Sequence, residues 1–235
     1  MPVTTLPSWR SVLAVVAHPD DESFALGAVL ASSAAAGARV SVLCLTRGEA
    51  STLHGVAGDL AELRARELAD AAEVLGLDAV TLLDHPDGAL QDVPADRLAD
   101  DVQRAVRAAD ADGLVGFDLT GVTGHADHAA ATAAAVRAAV RLDLPVLGWT
   151  VPRTVAERLR VEYGAPFVGH DDADIDVVLT VERTLQRRAV ACHPSQAVPG
   201  SVLWRRLELL GEHEYLRWQV RGRPEGARAP GGGIA

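Results

Sequence analysis

Short apolar runs alternate with Ala- and Leu-rich stretches of helical period through the first 150 residues, and this alternation restricts the fold more than any other feature. The runs SVLAVVA, RVSVLCLT, AVTLL, DGLVGF and PVLGWT are too short for helices and lack polar alternation, as expected of strands buried on both faces. Between them lie ESFALGAVLASSAAAG, DLAELRARELADAAEVLG, RLADDVQRAVRAAD and HADHAAATAAAVRAAVRL, each with a helical pattern. Strand followed by helix followed by strand calls for right-handed parallel crossovers. The expected architecture is therefore α/β: a doubly wound, mostly parallel, Rossmann-like sheet with helices on both faces. Gly37 and Gly76 stand just past two helical patterns, where a left-handed cap favours a residue without a Cβ. Beyond residue 150 the alternation weakens. DIDVVLTV and EYLRWQV read as further strands of the same sheet, and ERTLQRRAVACH and SVLWRRLELLG as helices. Residues 1–220 are expected to form one domain, and the Gly/Pro-rich stretch 221–235 a flexible tail.

In open parallel sheets, ligands bind outside the carboxyl ends of the strands. The first strand ends in HPDDE, which places His18, Asp20, Asp21 and Glu22 at that rim. The fourth is followed by a loop and then GHADH, which carries His125, Asp127 and His128. A capped turn would explain HPDD alone, and a solvated helix face would explain HxxH alone. Their recurrence at matching strand ends favours a metal site. Catalytic zinc takes three His or carboxylate ligands and leaves a position for water, so His18, Asp21 and His128 are the expected metal ligands. Two imidazoles and a carboxylate suit Zn²⁺ and also Fe²⁺. Asp20 then remains as a general base, His125 as an oxyanion donor, and Asp127 as an outer partner that orients an imidazole. Glu22 is expected only to favour the first helical turn.

Composition narrows the partners. With 235 residues, 49% of them hydrophobic, the chain can bury a full core. A formal charge of −10 repels nucleic acid and anionic membranes, which leaves a small molecule as the expected partner and homo-oligomerisation open. No P-loop or GxGxxG follows a strand. Cys44 lies in an apolar run, and no stretch approaches a membrane span, so a soluble cytoplasmic protein with reduced thiols is expected. His54, His85, His170 and His213 fit no motif and are expected in turns or on the surface.

The sequence resembles the LmbE/PIG-L zinc-dependent de-N-acetylases, a family that includes the deacetylases and amidases of mycothiol and bacillithiol metabolism. AHPDDE and GHADH match its two defining motifs, with Ala126 where proline is commoner. The likeness continues through TRGE, LRARELADAAEVLG, PDGAL and ACHPSQ, covering about residues 11–196. It implies the same ligands, base and oxyanion donor. It also implies substrate contacts at Glu49, Arg64, Asp87 and His193, with Gln196 in a motif near the pocket. Thr123 departs from the tyrosine of mycothiol-pathway deacetylases. The resemblance implies an amidohydrolase that removes an acyl group, acetyl above all, from an amino sugar or related conjugate. The alternatives are an amidase of a thiol S-conjugate and a metal-binding module of the same fold without turnover.

Overall fold

A computed structural model describes residues 2–53 and 59–222. Seven strands form one sheet in the order β3-β2-β1-β4-β5-β7-β6. The first five are β1 (Ser11–Val16), β2 (Arg39–Thr46), β3 (Ala79–His85), β4 (Gly113–Phe117) and β5 (Val146–Thr150), all parallel. β6 (Val177–Thr180) and β7 (His213–Val220) complete the sheet, with β7 antiparallel to both neighbours. The α-helices of the described residues are α1 (Asp21–Phe24), α2 (Gly27–Ala35), α3 (Leu60–Leu75), α4 (Ala95–Ala109), α5 (Ala126–Leu142), α6 (Arg153–Tyr163), α7 (Thr184–Ala191) and α8 (Val202–Leu210). The α/β class, the strands and most of the helices are those read from the sequence. Among the described residues, no helix is long and apolar enough to cross a membrane.

β1 shows why its sequence carries no polar position after Ser11. Val12, Ala14 and Val16 join one core cluster, while Leu13, Val15 and Ala17 join another on the opposite face. The second cluster is filled largely by alanines of α5 and by Leu98 and Val102 of α4, so Ala-rich helices can approach the sheet closely. Burying these side chains contributes on the order of 25 cal/mol per Å² of apolar surface. Gly37 and Gly76 take positive φ, as expected of their positions.

Three local features differ from the sequence reading. The helix expected from Glu22 onward is broken at Ala25 and Leu26. Gln186 of α7 packs against Gly27 and donates to the carbonyls of Ser23 and Phe24, which satisfies backbone groups freed by the break. α6 was not anticipated, because only Ala156 and Leu159 of it are buried. Pro152 before it and the left-handed Gly164 after it mark its ends. His85 is buried and not at the surface, its Nε2 2.7 Å from Asp101 Oδ2. His170 is half-buried against Asp118, His213 is exposed as expected, and His54 and residues 223–235 of the expected tail lie outside the described residues.

Candidate active site

The strand order reverses direction beside β1, which pairs with β2 on one side and β4 on the other. A crevice opens at such a switch point beyond the strand ends. The loop after β1 delivers His18, Asp20 and Asp21, and the N-terminus of α5 delivers His125, Asp127 and His128 to the same rim. A cavity of about 700 Å³ opens there, bordered by His18, Asp20, Asp21, His125 and His128.

His18, Asp21 and His128, all buried, each offer a donor atom within 4.8 Å of the others. Asp21 Oδ2 accepts the backbone N–H groups of Ala17 and His18, while Oδ1 faces His128 Nε2 at 3.1 Å. His128 Nδ1 lies 2.7 Å from Thr123 Oγ1 and 3.3 Å from the Gly121 carbonyl. Those partners favour a proton on Nδ1 and leave the Nε2 lone pair toward Asp21. His18 Nε2 lies 3.0 Å from Asp87 Oδ1 and 3.2 Å from Asp127 Oδ2, so its Nδ1 is the nitrogen turned toward Asp21. Each imidazole thus has one nitrogen held by protein acceptors and the other free for a cation, the arrangement a divalent transition metal requires. A second group, His18, His125 and Asp127, is equally compact. Asp127 fits a metal less well, because both its oxygens already accept backbone N–H groups, Oδ2 from Gly88 and Oδ1 from Leu90, whereas in Asp21 only Oδ2 does.

The electrostatics follow from crowding. Burial works against charge on His18, but its hydrogen bonds to the Asp127 and Asp87 carboxylates push it up to about 10. Burial alone would raise Asp21, yet His128 and His18 hold it well below the usual carboxylate range. Burial pushes Asp20 up to about 6, with the Arg64 guanidinium opposing and the Asp21 charge adding to the rise.

Asp20 is held unlike any neighbour. Its φ of 126° is a costly conformation for a residue with a Cβ, of order 1–3 kcal/mol. Glu22 Oε2 accepts its backbone N–H at 2.9 Å, and Arg64 Nη2 donates to its Oδ2 at 3.0 Å. Arg64 also donates to the carbonyls of Pro19 and Gly48. Glu22 is fully buried and bonded to Ser23 and to His193 Nε2 at 2.8 Å, so it does far more than favour a helical turn. The sequence clue was three successive acids where one would cap the helix.

His125 is the N-cap of α5, and its Nδ1 accepts the Asp127 backbone N–H at 3.2 Å. That bond places the ring proton on Nε2. Burial and the neighbouring His18 and His128 lower its pKa, which keeps it neutral near pH 7. Arg64, Asp87 and Gln196 border the cavity, as does Thr123. Glu49 and His193 do not. Glu49 is exposed and accepts the Asp87 backbone N–H at 3.1 Å. His193 is fully buried behind Glu22, so direct substrate contact, as expected from the sequence, is not available to it.

The pattern of the PIG-L family, described as GlcNAc-PI de-N-acetylase, matches residues 13–140, which hold all six rim residues named above. The chain is 31% identical to a 1D-myo-inositol 2-acetamido-2-deoxy-alpha-D-glucopyranoside deacetylase of Nakamurella multipartita, over 81% of this chain and 82% of that one. The fold is similar to that of the teicoplanin deacetylase Orf2, with a TM-score of 0.67, 22% identity, and coverage of 88% of this chain and 97% of that one. It is also similar to GalB, the 4-carboxy-2-hydroxymuconate hydratase of Pseudomonas putida, with a TM-score of 0.64, 19% identity, and coverage of 92% and 98%. Fold alone therefore spans more than one chemistry. Matched through both rim motifs and over more than half its length, the chain belongs to the PIG-L family of GlcNAc-PI de-N-acetylases.

Proposed function

We propose that this chain is a metal-dependent amidohydrolase that removes an N-acyl group, acetyl above all, from an amino sugar or related conjugate. The observation that carries the reading is Asp20: a second carboxylate beside the candidate ligand Asp21, in a strained backbone conformation, aimed by Arg64 and braced by Glu22. A site that only stored a cation would have no use for such a device. His18, Asp21 and His128 would hold the ion, either Zn²⁺ or Fe²⁺. When bound, the ion would acidify water and polarise the acyl carbonyl.

The chain's own groups supply the rest. Asp20 takes the proton of the attacking water and returns it to the leaving amine, with Arg64 fixing which carboxylate oxygen acts. His125 donates Nε2–H to the oxyanion that forms on the acyl carbon, and the N-terminus of α5 adds its dipole. Asp127 and Asp87 orient His18, and Thr123 orients His128. The Nakamurella multipartita relative is a deacetylase of a 2-acetamido-2-deoxy-glucopyranoside, and that supports a substrate of this kind here. A cytoplasmic setting is supported by two free cysteines, one of them buried.

The test is acetate release from N-acetylglucosamine derivatives by the metal-loaded protein, repeated with Asp20→Asn. The variant should keep its metal and lose about 10²- to 10⁴-fold in kcat. Turnover at the wild-type rate with the metal retained would remove Asp20 from the mechanism.

A further inference from the structure

Arg206 of α8 is 4% exposed and borders the cavity, yet its hydrogen bonding is incomplete. Nη2 donates to the Phe24 carbonyl. Nε is buried with no partner, and no carboxylate of a described residue lies within ion-pair distance of the guanidinium. The group lies 4.9 Å over the Trp149 ring. The nearby carboxylate of Glu214 is already committed, to Trp149 Nε1 at 2.7 Å and to Arg183 Nη1 at 2.5 Å. The one carboxylate nearby is thus paired with Arg183, and the buried Arg206 guanidinium has no paired anion among the described residues on this wall. Arg64, the other arginine at the cavity, differs in being tied to Asp20 and two carbonyls.

We infer that Arg206 is a specificity-determining residue that selects N-acylated substrates bearing an anionic oxygen group, a carboxylate or a phosphoryl group. The inference rests on the amidohydrolase reading for the identity of the substrate, though not for the affinity. A desolvated cation is costly unless an anion meets it, and arginine is the side chain whose planar fork best matches carboxylate and phosphate oxygens. Phe24, Phe117, Phe167 and Leu203 line the same cavity, and their apolar surroundings strengthen such a contact. Burial lowers the Arg206 pKa to about 10, so the group stays cationic at neutral pH.

The experiment measures affinity of the metal-loaded Asp20→Asn protein, in which binding is read without turnover. Its probes are N-acetylglucosamine, its 1- and 6-phosphates, and N-acetylglucosaminuronic acid. At least one anionic probe should bind about 10- to 100-fold more tightly than the neutral sugar, the range expected of a charge-assisted bond. The phosphates against the uronate decide which anion is meant. Adding Arg206→Gln should bring the ratio near one, and Arg206→Lys should leave an intermediate ratio. Near-UV circular dichroism checks the fold, and if the Gln variant is misfolded the Lys variant decides by its ratio. No preference for any anionic probe, or a preference that survives loss of the guanidinium, overturns the inference. Anion preference that depends on Arg206, with no acetate released by the wild-type protein from any probe, would instead refute the amidohydrolase reading and leave the anion site standing.

Discussion

Gly48→Ala should damage the site through Arg64, without touching any rim residue. Gly48 has φ +66°, where an L-residue costs roughly 1–2 kcal/mol. A Cβ there would stand 2.1 Å from Arg64 Nη1 and 2.3 Å from Cζ, so the guanidinium has to leave. Arg64 is only 3% exposed and cannot simply turn into water. It would lose bonds to Gly48 O and Asp20 Oδ2, and bonds to charged groups contribute about 1.5–3 kcal/mol each. Partial recovery elsewhere still leaves a total near 3 kcal/mol, or a Tm lowered by about 6–12 °C for a chain of this size. Calorimetry on Gly48→Ala, Arg64→Ala and the double variant isolates the cause. In the Arg64→Ala background the added methyl meets open space, so Gly48→Ala should cost only its backbone strain. Costs that add to within about 0.5 kcal/mol would show that the collision does not exist and refute the reasoning.

Other expectations concern the rim and its support. His18→Ala and His128→Ala should each lose the bound metal in elemental analysis, whereas His125→Ala should keep it and lose about 10²- to 10³-fold in kcat. Metal loss in His125→Ala would make His125 a ligand, through the compact group it forms with His18 and Asp127. Glu22→Ala strands the Asp20 N–H and the ring of His193 and should destabilise by about 3–5 kcal/mol in urea titration. Burial opposes charge on His193, but Glu22 outweighs it and raises the pKa above 6.5. The stabilisation by this imidazolium is complete below pH 6.5 and is lost as pH rises through the higher folded value. Urea midpoints taken from about pH 6 to 9 should fall in the wild type and fall less in His193→Gln.

The elements around the rim were legible because strands buried on both faces leave unbroken apolar runs, and polar clusters at their ends stand out. The order of those strands was less accessible. EYLRWQV reads as a strand whichever way it points, and only the fold shows β7 running antiparallel between β5 and β6. α6 escaped because only two of its residues, Ala156 and Leu159, are fully buried. Glu22 and Arg206 escaped for another reason: a buried charge has the same letter as an exposed one. Their roles come from partners 171 and 182 positions away, Glu22 with His193 and Arg206 with Phe24. His193 was expected at the substrate and instead lies behind Glu22, outside the cavity lining, a distinction that no spacing encodes.

The place of β1 between β2 and β4 has a kinetic consequence. His18 and Asp127 are 109 residues apart, so the pocket does not exist until β4 docks on β1 and closes a loop of that length. Loop closure of this kind is slow, and helices formed earlier gain nothing from the metal. The cation should therefore recognise only chains that have completed this pairing. Its addition during refolding should leave the folding rate nearly unchanged and slow unfolding, with equilibrium stability rising by about 2.7 kcal/mol at a hundredfold excess over Kd.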